Sequence, residues 1–232
     1  MNLETTIISL GGSIIAPQGV DAVFIKAFRT LIIKWLDSLP GRRVILITGG
    51  GAPARVYQEA YREASPSPKA DTQDWIGIAA TRLNAALIKG VFQEDCFDNV
   101  VTDPTGDFRF TGRVLVGAGW KPGFSTDFDA VMLAERFGAK RVINLSNISQ
   151  VYSADPKKNP EATPLPLMSW KDFKDLVGEE WSPGLNAPFD PVATKKAADL
   201  KLEVIVASGK DLPNLDKILN NQEFFGTKIG PQ

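Results

Sequence analysis

The residues able to do chemistry in this chain gather in loops rich in glycine, hydroxyl and carboxylate groups. Gly11-Gly12-Ser13 and Gly49-Gly50-Gly51 each lead into a helical run, and Arg55 follows the second within one turn. Stretches without Cβ atoms let backbone N–H groups approach phosphate oxygens, and a helix N-terminus adds a favourable dipole. Neither stretch is a Walker A loop, because no Gly-Lys-Ser or Gly-Lys-Thr follows, and neither is a Gly-x-Gly-x-x-Gly dinucleotide pattern. Arg55 can offer a two-pronged guanidinium to phosphate, or be a solvated charge on a helix face. A third loop holds Trp120, Lys121, Pro122, Gly123, Phe124, Ser125, Thr126 and Asp127. Its last three residues suit a helix N-cap or phosphate binding, with Asp127 able to orient lysines. A fourth loop carries Ser146, Asn147, Tyr152 and Asp155. Tyr152 can flank a base and Asp155 can accept from ribose hydroxyls, or the two are a partly buried tyrosine and an Asp-Pro turn. Asp190-Pro191 reads as an N-cap with proline at the first helical position, which puts Lys195 one turn in, near a transferring phosphoryl or on the surface.

Composition narrows the chemistry. The chain has no histidine, which removes Ser-His-Asp and Cys-His nucleophiles, His-ligated zinc, phosphohistidine and imidazole base catalysis. Its one cysteine, Cys96, has no partner for a disulfide, a thiol metal site or a redox pair. Carboxylate, lysine and backbone-amide groups remain, an inventory suited to phosphoryl transfer, which needs positioning and charge neutralisation more than a strong base. Lys and Arg number 26 against 27 Asp and Glu, so nothing in the overall charge points to nucleic acid or an anionic membrane. There is no membrane-length apolar run, and residues 1–4 lack a basic leader, so a cytoplasmic location is expected.

The elements that must position these loops are short apolar strands alternating with helices. Residues 6–10, 44–48, 114–116, 141–145 and 202–206 read as buried strands. Phe24, Phe28, Leu31, Ile32 and Trp35 recur at helical spacing, as do Trp75, Ile76, Ala79, Leu83 and Leu87, and both sets are expected to be core-facing. The alternation predicts a doubly wound α/β fold with a mainly parallel sheet and ligands beyond the strand C-terminal ends. Breaks at 65–69, 102–112 and 155–166 are expected surface connections. In the second, Phe108 and Phe110 alternate with polar residues about Gly106-Asp107, as in a β-hairpin arm.

Taken in order, six segments resemble the amino-acid kinase superfamily and, within it, the archaeal-type UMP kinases. They are residues 9–13 (SLGGS), 49–55 (GGGAPAR), 74–84 (DWIGIAATRLN), 121–127 (KPGFSTD), 151–156 (VYSADP) and 190–195 (DPVATK). The resemblance implies a three-layer α/β/α sandwich in a single domain over residues 1–232, with UMP toward the N-terminal half and ATP toward the C-terminal half. It implies ATP contacts from Gly12, Ser13, Gly51, Arg55, Ser146, Asn147, Tyr152 and Asp155. UMP would be met by Gly50, Asp74 and the stretch from Trp120 to Thr126. Arg55, Asp127 and Lys195 would be the catalytic set, Mg²⁺ would arrive bound to ATP, and the assembly would be a hexamer of three dimers. Readings that remain beside it are a superfamily kinase with another small acceptor and a noncatalytic nucleotide-binding relative. Where the family usually has Asn-Val-Asp-Gly-Val-Tyr, this chain has Asn147-Ile148-Ser149-Gln150-Val151-Tyr152, so Gln150 would be strained if its position needed positive φ.

Overall fold

The computed structural model describes residues 4–156, 158–178 and 187–231. The first residues of the leader reading, 1–3, lie outside the described residues. The chain runs β1 (Glu4–Leu10), α1 (Gly12–Ile15), α2 (Ala22–Asp37), β2 (Arg42–Thr48), α3 (Gly51–Ala64) and α4 (Ala70–Val91). It continues through β3 (Val114–Gly117), α5 (Thr126–Phe137), β4 (Arg141–Ser146), β5 (Leu167–Ser169) and α6 (Trp170–Val177). Then come α7 (Pro191–Asp199), β6 (Glu203–Ser208), α8 (Leu212–Leu219) and β7 (Thr227–Gly230).

All seven strands form one sheet in the order β3-β2-β1-β4-β6-β7-β5. The five strands expected from sequence are its parallel body, while β7 pairs antiparallel with β6 and parallel with β5. After β1 the chain builds outward through β2 and β3, then returns to lay β4 on the other side of β1. The order therefore reverses between β1 and β4, the switch point at whose strand C-terminal ends open α/β sheets take their ligands.

Strands buried on both faces must be apolar at successive positions. Ile8, Leu10, Leu46, Val116 and Leu145 meet α2, α4 and α8 on one side. Ile7, Ile45, Ile47, Val142 and Val204 meet α5, α6 and α7 on the other. The result is the three-layer α/β/α sandwich. Helix α2 starts where Asp21 accepts a hydrogen bond from the Phe24 amide at 2.9 Å. It buries Phe24, Phe28, Ile32 and Trp35 as expected, the Trp35 indole donating to Leu219 O at 3.1 Å.

Two sequence expectations fail here. The stripe Trp75, Ala79 and Leu83 of α4 faces outward, and the helix buries Ile78, Thr81, Asn84, Ala85 and Ile88 instead. Polar Thr81 and Asn84 disguise the true core face, because both are buried to hold backbone groups of neighbouring loops, the Gly119 amide and the Gly49 and Gly50 carbonyls. Residues 102–112 contain no strand and no hairpin. Phe108 and Phe110 fold onto Phe137 at the end of α5, with ring centroids 6.1 and 5.5 Å away, and the Arg136 and Arg43 guanidinium groups lie over them.

Candidate active site

The two glycine clusters end adjacent strands and pack directly on each other. A Cβ on Gly12 would lie 2.0 Å from the Gly51 amide nitrogen, and Gly51 has φ +67°. Their lack of side chains thus serves first to bring two backbones together. Asn84 fixes this junction from α4, its amide donating to Gly49 O at 2.7 Å and Gly50 O at 3.2 Å. The Gly11 and Gly49 amides are spent on Leu145 O and Leu10 O. Those of Gly12 and Ser13, in the first turn of α1, have no helical acceptor ahead of them.

Beside this junction opens a cavity of about 710 Å³. Gly12, Thr126, Asp127, Ser146, Asn147, Tyr152 and Asp155 line it, all expected from sequence. Ser9, Asn144 and Gln150 line it too, with Leu176 and Val177 of α6. Gln150 is buried and approaches the Tyr152 hydroxyl at 3.4 Å. Among the described residues the only non-glycine positions with positive φ are Lys201 and Asn221, so Gln150 is not strained. No lysine or arginine is among the described lining residues.

Asp127 stands at the cavity floor where three elements meet. One oxygen accepts from Ser9 Oγ at 3.0 Å, and the other from the Asp190 amide at 3.3 Å. Asp190 in turn caps α7 by accepting from the Ala193 amide at 2.7 Å. Desolvation pushes the Asp127 carboxyl up to about 6, nearby Asp190 pushes the same way, and the Ser9 hydrogen bond opposes both. Burial also raises Asp190.

The loop from β3 to α5 lies against α4. Asp74 accepts a hydrogen bond from the Gly123 amide at 3.2 Å, which joins two groups expected to share a ligand. Trp120, Phe124 and Phe128 form a run of tilted rings with centroids 5.1 and 4.6 Å apart, and Lys121 Nζ sits 3.9 Å from the Trp120 ring centre. Ser125 caps α5 through the Phe128 amide. Pro122 completes the turn before Gly123, which has φ +85°. Arg55, in the second turn of α3, and Lys195 on α7 are both exposed and do not line the cavity. Gly50 precedes α3 at its N-cap.

Sequence reasoning placed Ser9, Thr81, Arg82 and Asn84 within segments that carry the resemblance but gave them no role of their own, and it passed over Asn144 and Asp129. For Thr81, Asn84 and Asp129 the signal was a polar residue where an apolar helical stripe should continue. Among the described residues, no three His, Cys, Asp or Glu side chains are placed to hold a metal together, and no helix is long and apolar enough to cross a membrane.

The amino acid kinase family model matches residues 4–208. The chain belongs to this family. Among similar members, uridylate kinases of Methanospirillum hungatei and Methanocorpusculum labreanum are each 34% identical, covering 98% of this chain and 95% and 96% of theirs. The crystal structure of uridylate kinase from Archaeoglobus fulgidus superimposes with a TM-score of 0.81 at 30% identity, over 98% of this chain and 100% of that one. The UMP kinase of Bacillus anthracis, at 18% identity and a TM-score of 0.80, shares the amino acid kinase fold.

Proposed function

We propose that this amino acid kinase family member is a uridylate kinase, moving the γ-phosphoryl of ATP onto the phosphate of UMP by direct in-line transfer. The observation that carries this reading is the continuity of one loop. Its end, Thr126 and Asp127, lines the cavity, and its middle, Gly123, is tied to Asp74. A donor and an acceptor can therefore meet at the start of α5.

In this arrangement the amides of Gly12 and Ser13 bind donor phosphates, and Ser146, Asn147, Tyr152 and Asp155 hold the nucleoside. Gly50, Asp74 and the loop from Trp120 through Lys121, Pro122, Gly123, Phe124 and Ser125 to Thr126 seat UMP, the Asp74 carboxylate accepting from ribose hydroxyls. Ionised Asp127 orients the groups around the transferring phosphoryl. Gly51 and Arg55 approach it from α3 and Lys195 from α7, both cations requiring a change of side-chain rotamer. Mg²⁺ arriving on the ATP phosphates would supply charge neutralisation there.

A homo-oligomer, for which the resemblance implies a hexamer of three dimers, draws support for a subunit contact from the outward stripe of α4 and exposed apolar residues of α3. Trp75 is 48%, Leu83 67%, Val56 62% and Tyr57 69% exposed, more apolar surface than a lone helix pair ordinarily leaves in water.

One observation favours a second reading, a nucleotide-binding protein without transfer activity: no lysine or arginine is among the described cavity-lining residues. Coupled ADP release with ATP against UMP, CMP and acetylglutamate, with and without Mg²⁺, separates the two. Mg²⁺-dependent turnover on UMP is expected. ATP binding without turnover on any acceptor would leave the second reading standing.

A further inference from the structure

The loop proposed to seat UMP begins with a dipeptide whose every backbone polar group is held by a side chain. The Gly119 amide donates to Thr81 Oγ at 2.9 Å, and that hydroxyl donates onward to Ile78 O at 2.7 Å. Arg82 donates one guanidinium N–H group to Gly119 O at 3.3 Å and Trp120 O at 3.1 Å. The Trp120 amide donates to Asp129 Oδ2 at 3.2 Å. Space is tight as well, since a Cβ on Gly119 would lie 3.0 Å from Thr81 Oγ.

Asp129 is out of place as a packing residue. It is 2% exposed, its α5 neighbours Ala130, Val131, Leu133 and Ala134 are buried apolar residues, and its Oδ1 has no hydrogen-bond partner. Arg82 likewise leaves a buried Nε without a partner. Burying an unsatisfied polar atom destabilises a fold, whereas an apolar side chain of similar shape would not. What the two side chains share is the Trp120 peptide, gripped by Asp129 at its nitrogen and by Arg82 at its carbonyl. Ring-to-ring contact then carries that position from Trp120 to Phe124 and Phe128.

We propose that Asp129 and Arg82 are positioning residues that fix the Gly119–Trp120 step, and with it the surface on which the acceptor nucleotide seats. The inference rests on the reading of this loop as the UMP side of the site. It predicts an effect confined to the acceptor, because neither side chain lines the donor cavity.

The test is steady-state kinetics of the full chain with independently varied ATP and UMP, alongside calorimetric binding of each nucleotide. Asp129→Leu keeps the approximate shape and removes the acceptor oxygen, and Asp129→Asn keeps an oxygen for the Trp120 amide. The leucine variant should raise KM and Kd for UMP roughly tenfold, the worth of one buried hydrogen bond, and leave those for ATP within about twofold. The asparagine variant should recover most of the loss. Arg82→Lys, which gives up the forked guanidinium, should repeat the selective loss, and it tests the clamp even if Asp129→Leu fails to fold. Parallel weakening of both nucleotides, or altered thermal stability with unchanged UMP constants, would overturn the proposal while the wild-type chain still turned over UMP. A wild-type chain that neither binds nor phosphorylates UMP would instead remove the reading beneath it, and the proposal with it.

Discussion

Ser9 Oγ donates to Asp127 Oδ1 at 3.0 Å, joining the end of β1 to the first turn of α5 across 118 positions of sequence. Asp127 spends its other oxygen on the Asp190 amide, so a single carboxylate sets three elements relative to one another. The hydrogen bonds from Ser9 and the Asp190 amide favour its charge against the cost of burial. Such a group responds to pH, and its orientation depends on few bonds.

Turnover should therefore show an acid limb. Asp127 takes up a proton as pH falls through about 6, and the ionised form is the one proposed to orient the phosphoryl site. The kcat profile is expected to rise with pH through that value and then level. Ser9→Ala removes the hydrogen bond that favours ionisation, so the limb should move to higher pH. An unshifted limb in Ser9→Ala would assign it to another group.

Stability should fall as pH rises toward 8. Burial raises the Asp129 carboxyl from 3.8 to about 8, so between those values the folded chain holds a proton that the unfolded chain has released. The stabilising contribution is full below the unfolded value and is lost as pH climbs to the folded one, at up to about 1.4 kcal/mol per pH unit. Asp127 adds a smaller loss of the same sign that ends near 6. Urea denaturation across this range should show Asp129→Asn gaining on the wild type as pH rises, with the two closest in acid.

Gly12→Ala should prevent folding rather than merely slow catalysis. Its Cβ would fall 2.0 Å from the Gly51 nitrogen and 2.6 Å from the carbonyl carbons of Gly49 and Gly50, all backbone atoms that cannot turn aside. A loss above about 3 kcal/mol is expected, read as insoluble expression or a lowered urea midpoint.

Arg55→Ala is expected to behave in the opposite way. An exposed residue of α3 should change stability by no more than about 0.5 kcal/mol. Turnover should drop by roughly a hundredfold or more if its guanidinium neutralises the transferring phosphoryl. Normal turnover by purified Arg55→Ala would withdraw Arg55 from the catalytic set.

Leu83→Glu puts a charge into the outward stripe of α4. It should shift the particle to a smaller species by light scattering with little change in the monomer fold, since Leu83 is 67% exposed within a single chain. An unchanged mass would place the subunit contact elsewhere.

What could be read from sequence follows the physics of each element. Strands buried on both faces leave an uninterrupted apolar record, and β1, β2, β3, β4 and β6 were legible for that reason. Strands β5 and β7 are short and lie on the far side of the sheet, and their pairing depends on partners distant in sequence. The face of α4 was misjudged because an exposed apolar stripe and a core stripe have the same spacing, whereas Thr81 and Asn84 point inward to satisfy loop backbones.

The site shows the same division. Loops that end strands could be found, but the hydrogen bond from the Gly123 amide to Asp74 is a tertiary contact that only the structure supplies. Asp129 could not be assigned, because its role follows from the Trp120 amide reached across the loop, a tertiary contact that no local spacing encodes. Gln150 shows the converse: a residue suspected of strain takes an ordinary backbone conformation once the loop around it is in place.

The placement of β7 gives the order of synthesis a structural meaning. Strand β5 is hydrogen-bonded in the sheet through β7 alone, and α6, which follows β5 directly, brings Leu176 and Val177 to the cavity. On the ribosome, the parallel body from β1 to β4 can assemble while this wall still lacks its anchor. Pairing of β5 in the sheet thus waits on residues 227–230, and a nascent chain paused before them is expected to carry the glycine loops beside a flank whose strand is still unpaired.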